Sequence, residues 1–228
     1  MAGPRTRVAR RTGAGPQGSP AGPQHFLAGP RPPDIARQGS VLLVELLARL
    51  AAARDLVDAA LDRLLPQPAA VPTRVPAAMR HAVCGGKRLR PFLVLEAAQA
   101  FGLPATAVLP TACGIEMLHC ATLVHDDLPC VDNSALRHGQ PTVHLAFDEA
   151  TALLAGDALI IGAFESLARQ AEDPRTPPAR VLQCVRELAE YTGGRGLVAG
   201  EALDIETERR PYTEAELEFI HVNKTAKL

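Results

Sequence analysis

The chain has little of several features on which common folds and functions depend. Tryptophan is absent from its 228 residues, and aromatic residues make up only 4 % of them. The formal net charge is −1, so global charge predicts neither a nucleic acid nor a membrane partner. Gly156 and Asp157 interrupt the longest apolar stretch, and we therefore expect no membrane span. Regular alternation of β-branched and polar residues is rare, which argues against a mainly β fold.

Paired cysteines are also missing. The five cysteines are odd in number and lack CxxC spacing, so we expect reduced thiols in a cytoplasm-like compartment rather than a disulfide framework. Residues 1–40 are rich in Gly, Pro and Arg and contain no acid before Asp34. Such a segment cannot bury enough surface to fold, and we expect a disordered tail. An organelle transit peptide is the alternative, although the tail is neither Ser-rich nor amphipathic.

Leucine and alanine at helical spacing dominate the rest of the chain, which predicts an all-α fold. The predicted helices cover residues 41–65, 77–83 and 91–101, a segment ending near Asp127, and residues 148–170 and 179–191, with a last helix capped by Thr213. Asp157 falls inside the apolar helix 148–170, so we expect a structural partner for it, such as an arginine. Glu201 and Asp204 are three residues apart, a spacing more often found at a helix surface.

An acidic motif ends the central predicted helix. Its three carboxylates are Asp126, Asp127 and Asp132. On an ideal helix His119, Thr122 and Asp126 share one stripe, and Pro129 predicts a kink or bulge that could bring Asp132 back beside Asp126. Crowded carboxylates repel one another unless a cation lies between them, and oxygen ligands of this kind suit Mg²⁺. The alternative is a solvated acidic helix end.

A basic motif precedes the acidic one. In GGKRLRP, residues 85–91, the glycines allow close approach of the backbone to a ligand. Lys87 and Arg90 are three residues apart and could converge on one anion. After the acidic motif, Arg137 and His138 could return to the same cleft. Solvated basic residues at a helix start are the alternative.

The motifs GGKRLRP, HDDLPCVD with RHGQPT, AGEALD and KT, in this order, resemble the trans-isoprenyl diphosphate synthases, which include farnesyl and geranylgeranyl diphosphate synthases. The resemblance covers about residues 41–228. It implies antiparallel helices around a deep central cavity, usually in a homodimer. It also implies Mg²⁺-dependent condensation of an allylic diphosphate with isopentenyl diphosphate, in the cytoplasm or, if the tail is a transit peptide, in a plastid.

The resemblance also implies roles for particular residues. Metal binding falls to Asp126, Asp127 and Asp132. Substrate binding falls to Gly86, Lys87, Arg90, His119, Arg137 and His138, of which Lys87, Arg90 and His119 hold isopentenyl diphosphate and Arg137 the allylic diphosphate. Departure of the diphosphate is assisted by Lys224 and Thr225. Product length is set upstream of Asp126 by Ala121 and Thr122, whose small side chains favour a C20 geranylgeranyl product.

Four departures from the family pattern bear on activity. His138 stands where relatives have an arginine, and Glu201 replaces a glutamine. The segment before GGK is one residue shorter, and the second acidic motif would lie beyond Leu228. We therefore expect a C-terminally truncated chain that is inactive alone. The alternatives are a non-catalytic subunit that dimerises with a complete synthase, and a terpene cyclase, which would not need GGKRLRP.

Overall fold

The computed structural model describes residues 32–228, with side chains from Ser40 onward. The described helices are α1 (Pro32–Leu64), α2 (Val75–Ala82), α3 (Leu89–Ala100), α4 (Ala105–Asp126), α5 (Val143–Ala146), α6 (Glu149–Arg169), α7 (Pro178–Thr192), α8 (Leu197–Thr207) and α9 (Glu214–Ile220). A two-residue antiparallel hairpin, β1 (Leu136–Arg137) and β2 (Gln140–Pro141), lies between α4 and α5. The predicted all-α fold is confirmed.

The chain divides into two compact units, residues 1–42 and residues 43–228. In the first unit, the described part is the start of α1, which begins at Pro32 rather than at the predicted residue 41. The prediction of a disordered tail otherwise concerns residues 1–31, which lie outside the described residues. The site described below belongs to the second unit.

Helices α4 and α6 form the centre of the second unit. Helix α6 packs along α4 and also contacts α2, α5 and α7. Cys113 and Met117 from α4 and Leu159 and Ala163 from α6 are buried in one continuous core. At Gly114 a Cβ would lie 2.8 Å from the carbonyl oxygen of Ala163, so this glycine allows the two helices to approach closely. This close packing against α6 fixes the position of the acidic C-terminal end of α4.

Local signals mark the ends of several helices, and the predicted cap at Thr213 is confirmed. Gly102, with φ +78°, follows the end of α3, and such left-handed glycines commonly terminate helices. Asp148 caps α6 by accepting a hydrogen bond from the Thr151 backbone N–H. Thr213 and Glu216 form a reciprocal capping box at α9, which satisfies backbone donors that the helix itself leaves unpaired.

Two helices meet the length and composition of a membrane span, contrary to the expectation from the short apolar runs. They are Ala105–Asp126 and the segment Glu149–Glu172, and 56 % and 39 % of their most apolar windows are buried inside the fold. Core helices of globular proteins pass the same test. Two such helices are weak evidence of a membrane span, and residues of both α4 and α6 pack in the buried core.

Among the residues whose side chains the structure describes, the partner of Asp157 is a histidine rather than the arginine given as an example. The Asp157 side chain is 54 % exposed, and its Oδ1 lies 3.7 Å from Nε2 of His125. The prediction took α6 to be buried on most sides, whereas Asp157 lies on a face open to solvent, where water also stabilises its charge.

Candidate functional site

The acidic end of α4 is shaped by a turn. Helix α4 stops at Asp126, and the chain then folds back so that the backbone N–H of Asp132 donates to the carbonyl oxygen of Asp126 at 2.9 Å. Pro129 lies inside this turn, where its missing N–H costs no helical hydrogen bond. The predicted return of Asp132 to Asp126 is confirmed, through a turn rather than a bulge within a continuing helix.

Asp127 points to a different partner. Its side chain is 4 % exposed, and its two oxygens accept from Arg137 Nη2 at 2.5 Å and Arg137 Nε at 3.2 Å. A bidentate pair of this kind holds both groups in one geometry. Asp127 thus anchors Arg137 in this structure, and its role in metal binding stays a prediction.

Asp126 lies among other acids. Burial and the charge of Glu201 raise its pKa to about 7, with a further contribution from Asp132 and partial relief from Lys224 and Arg137. A cation bound beside a carboxyl group in an excess of negative charge stabilises its ionised form. Within residues 32–228 no three His, Cys, Asp or Glu side chains already form a metal cage. Asp126 and Asp132 nevertheless fit Mg²⁺, which typically takes one or two protein carboxylates together with phosphate and water.

Lys224 reaches this acidic group from the far end of the chain. Its Nζ lies 2.9 Å from Glu201 Oε2 and 2.5 Å from Asp204 Oδ2. Burial disfavours its charge, but the hydrogen bonds with Asp204 and Glu201 outweigh burial and raise its pKa. Glu201 and Asp204 therefore share Lys224 as a partner, a contact that their spacing within one helix did not predict.

Close backbone packing places Lys224. Residues His221–Ala226 form a π-helix, a form that often occurs at functional sites. A Cβ on Gly200 would lie 2.4 Å from the backbone nitrogen of Lys224, so only glycine permits this approach of α8. Thr225, the second residue predicted to assist catalysis, is exposed in the same π-helix.

The basic loop lies between α2 and α3. Gly85 and Gly86 have φ of +81° and +85°, so the loop depends on left-handed conformations that glycine adopts without strain. Lys87 is exposed, whereas Arg90 is half-buried. Arg90 Nε is buried without a hydrogen-bond partner among the described residues. A donor in this state is available to an anionic ligand.

His119 faces Arg90 from α4. Arg90 Nη1 lies 3.3 Å from His119 Nε2. Burial lowers the pKa of His119 to about 4, and the nearby positive side chains Arg90, His138 and Arg137 lower it further. At neutral pH the uncharged His119 ring can accept a hydrogen bond from Arg90. The Arg90 guanidinium keeps its positive charge and can attract an anionic ligand. The predicted convergence of the basic loop with the His119 face of α4 is thus present.

The hairpin β1–β2 connects the acidic and basic motifs. His138 and Gly139, with φ of +52° and +79°, form its two-residue turn, as expected for a turn that matches strand twist. Arg137 on one side of the turn binds Asp127. His138 lies against the basic loop, because a Cβ on Gly85 would be 3.4 Å from His138 Cβ. The two motifs are therefore held in fixed relation.

An apolar cavity of about 530 Å³ adjoins the acidic group. Its lining comes from α4, α6, α7 and α8 and the loop after α7: Leu118, Thr122, His125, Asp126, Ile160, Phe164, Ala189, Thr192, Gly193, Leu197, Val198, Glu201, Ala202 and Ile205. Thr122, predicted to set product length, is among these residues. Ala121, predicted with it, is fully buried in the helical core and is not part of the lining, and its role in product length stays a prediction.

The helical bundle combines carboxylates, basic side chains and an apolar cavity. This combination indicates an all-α protein suited to ligands with anionic heads and apolar tails. The model of the polyprenyl synthetase family matches residues 72–228. The chain belongs to this family.

Individual relatives agree with this membership. The chain is 41 % identical over 199 residues to the heterodimeric geranylgeranyl pyrophosphate synthase large subunit 1 of Arabidopsis thaliana, covering 86 % of this chain and 53 % of that one. It is 43 % identical over 176 residues to farnesyl diphosphate synthase of Geobacillus stearothermophilus, covering 77 % and 59 %. It thus spans about half the length of the curated relatives it matches.

A solved structure shares the fold. The apo crystal structure of a FPP/GFPP synthase from Zymomonas mobilis is 37 % identical and superposes with a TM-score of 0.75, covering 81 % of this chain and 66 % of that one. The predicted arrangement of helices around a cavity is confirmed by this agreement.

Proposed function

We propose that the chain carries a large part of a short-chain trans-prenyltransferase that condenses an allylic diphosphate with isopentenyl diphosphate. The observation that supports this most directly is the separation of charge along one face of α4. Arg90, beside the neutral His119, forms a positive region, Asp126 and Asp132 form a negative region two turns away, and the apolar cavity opens beside the negative region. Two diphosphates and one hydrocarbon tail match these three surfaces.

The positive region is assigned to isopentenyl diphosphate. Lys87 and Arg90 bind its phosphates, the buried Arg90 Nε supplies an unpaired donor, and neutral His119 orients the Arg90 guanidinium. Gly86 gives the backbone close access. His138 contributes a weaker contact than an arginine would, because an imidazole offers fewer donors to a phosphate than a guanidinium does.

The negative region is assigned to the allylic diphosphate. Mg²⁺ held by Asp126 and Asp132 would neutralise the leaving diphosphate when bound. Arg137, fixed by Asp127, holds the same diphosphate in position. Lys224 and Thr225 stand at the opposite side of this region, where the lysine charge stabilises the departing group. The apolar cavity keeps water away from the allylic carbons while the carbon–carbon bond forms.

Product length is assigned to the floor of the cavity. Thr122 lies one turn from Asp126, with Leu118 and Phe164 also in the lining. Threonine leaves the upper part of the cavity open, so we propose a C20 geranylgeranyl product. The names of relatives include both farnesyl and geranylgeranyl synthases, and the open cavity favours the longer chain.

Assembly and location are proposed from the relatives. We propose a dimer, either of two copies or with a full-length synthase, because relatives are named as large subunits of heterodimeric synthases. Those relatives are large subunits, which makes the alternative of a non-catalytic partner less favoured. We propose a cytoplasmic location, or a plastid if residues 1–31 act as a transit peptide, since several plant relatives are named chloroplastic.

The proposal is tested by binding and by product analysis. The 228-residue chain is titrated with geranyl diphosphate in the presence and absence of Mg²⁺, and separately with isopentenyl diphosphate. It is then incubated with both substrates, alone and with a full-length synthase, and the products are separated by chain length. We expect Mg²⁺-dependent binding that Asp126→Asn abolishes, and C20 as the longest product of any condensation. Binding of neither diphosphate would contradict the proposal.

A further inference from the structure

Arg88 is the buried member of the basic loop. Its side chain is 3 % exposed, its Nε donates to Asp58 Oδ1 at 2.7 Å, and its Nη1 donates to Glu116 Oε1 at 2.8 Å. Asp58 lies on α1 and Glu116 on α4, so one guanidinium joins the loop to two helices. Arg88 points into the protein and cannot itself meet a substrate at the exposed Lys87 side.

The same side chain closes the loop on itself. Arg88 Nη2 donates to the carbonyl oxygen of Val83 at the end of α2. Residues 83–88 are thereby tied at both ends, while Gly85, Gly86 and Arg88 all have positive φ. A left-handed arginine is unfavourable unless its surroundings hold it. The three hydrogen bonds of the guanidinium stabilise Arg88 in this left-handed conformation.

Arg88 also determines where its neighbours point. Lys87 precedes it, and α3 begins at Leu89, so Arg90 lies in the first turn of that helix. Glu116 precedes His119 by three residues on α4, which places both on neighbouring positions of one helix face. The Arg88–Glu116 contact therefore fixes the loop against the same part of α4 that carries the partner of Arg90.

We propose that Arg88, held by Asp58 and Glu116, is a positioning residue for isopentenyl diphosphate: it acts through Lys87 and Arg90 and does not touch the substrate. This inference rests on the proposed function, which assigns Lys87 and Arg90 to that substrate. Three acceptors in three directions require the planar fork of arginine, which a lysine ammonium does not reproduce.

Selective loss of one substrate is the expected signature. The allylic site depends on Asp126, Asp132 and Lys224, which the Arg88 contacts do not include. Displacement of Lys87 and Arg90 by a fraction of an ångström weakens a converging anion site strongly, since misplacement of about 1 Å can cost about 100-fold. We expect Arg88→Met to raise the Kd for isopentenyl diphosphate about ten-fold or more and to leave the Mg²⁺-dependent Kd for geranyl diphosphate within about two-fold.

Three further variants separate the causes. Arg88→Asn removes the contacts but tolerates the left-handed backbone, so we expect it to bind isopentenyl diphosphate as weakly as Arg88→Met. Glu116→Gln keeps an acceptor for Nη1, and we expect it to retain most of the affinity. Asp58→Ala removes the contact of a half-exposed acid, so the chain is expected to fold and to show an intermediate loss.

Arg80 provides a matched control. It is partly buried and also uses several donors, binding Asp62 and the carbonyl oxygens of Asp62, Leu65 and Pro66. These contacts join α2 to the end of α1 and do not include the basic loop. We expect Arg80→Met to lower the thermal stability without separating the two substrate affinities.

Isothermal titration of the 228-residue chain and its variants, with circular dichroism to verify folding, measures these effects. If the wild-type chain binds neither diphosphate, the proposed function fails. If the wild-type chain binds both and a folded Arg88→Met or Asp58→Ala variant keeps the wild-type Kd for isopentenyl diphosphate, the positioning role is rejected. Full affinity in Arg88→Asn, or equal loss of both substrates in Arg88→Met, also rejects it.

Discussion

Replacing Gly200 with alanine tests the packing that holds Lys224 in the site. An alanine Cβ would lie 2.4 Å from the backbone nitrogen of Lys224 and 2.9 Å from the carbonyl carbon of Asn223. Both are main-chain atoms, so no side-chain rotation relieves the contact. Helix α8 and the π-helix must therefore move apart, and the ion pairs of Lys224 with Glu201 and Asp204 lengthen.

The expected loss of stability follows from two opposing effects. Overpacking of this kind costs about 1–3 kcal/mol, and alanine in a helix offsets about 0.5–1 kcal/mol relative to glycine. The midpoints of these two ranges give a net loss of about 1.25 kcal/mol, which corresponds to a fall in Tm of about 2.5–5 °C for a chain of this size. We also expect weaker binding of geranyl diphosphate, because the lysine charge is displaced from the negative region.

Urea unfolding and calorimetry of Gly200→Ala measure this loss. Gly194→Ala is the matched control, because no atom lies within 4 Å of its added Cβ, and we expect its unfolding free energy to stay within about 0.5 kcal/mol of wild type. A Gly200→Ala protein as stable as the control, with unchanged affinity for geranyl diphosphate, would show that the approach of α8 to Lys224 is not tightly constrained.

Three other changes test the charges and the cavity. The pKa of Asp126 is raised to about 7, so its contribution to stability is full below its unfolded pKa near 4 and is lost as the pH rises through 7. Without Mg²⁺, Asp126→Asn should therefore stabilise the chain more at pH 8 than at pH 5. Equal differences in Tm between variant and wild type at the two pH values would refute this. Thr122→Phe should fill the cavity and shorten the longest product, whereas Ala121→Phe should mainly destabilise the core. Product analysis and thermal melts distinguish the two effects. Unchanged products in Thr122→Phe would contradict the assignment of Thr122 to product length. His138→Arg should bind isopentenyl diphosphate several-fold more tightly at pH 8, because arginine stays charged, and titration giving equal affinities would argue against contact with the substrate.

The parts of the fold that sequence predicted well depend on local chemistry. A glycine after a leucine-rich helix predicts the end of α3, and a threonine three residues before a glutamate predicts the capping box of α9. The fold-back after Asp126 was predicted because proline cannot continue a helix. In each case the interacting groups are a few residues apart, so the sequence contains both partners.

The parts that sequence missed depend on distant partners. Lys224 is separated from Glu201 by 23 residues, and Arg88 from Glu116 by 28. Spacing within one helix could not show that Glu201 and Asp204 face a lysine from another helix. Glu116 did offer a signal: an acid in the middle of a mainly apolar helix must either reach solvent or find a buried cation. The basic motif GGKRLRP contains that cation in Arg88.

The electrostatics of α4 explain how one helix can serve two diphosphates. His119 and Asp126 are seven residues apart, about 10 Å along a helix. Burial is the largest cause of both pKa shifts, and the neighbouring charges add to it: the positive side chains around His119 help to lower its pKa to about 4, and Glu201 helps to raise that of Asp126 to about 7. The first environment attracts an anion directly, whereas the second attracts a cation first and an anion through it. The two substrates are therefore distinguished by whether their site requires a metal, which is why removal of Mg²⁺ should weaken geranyl diphosphate binding and spare isopentenyl diphosphate.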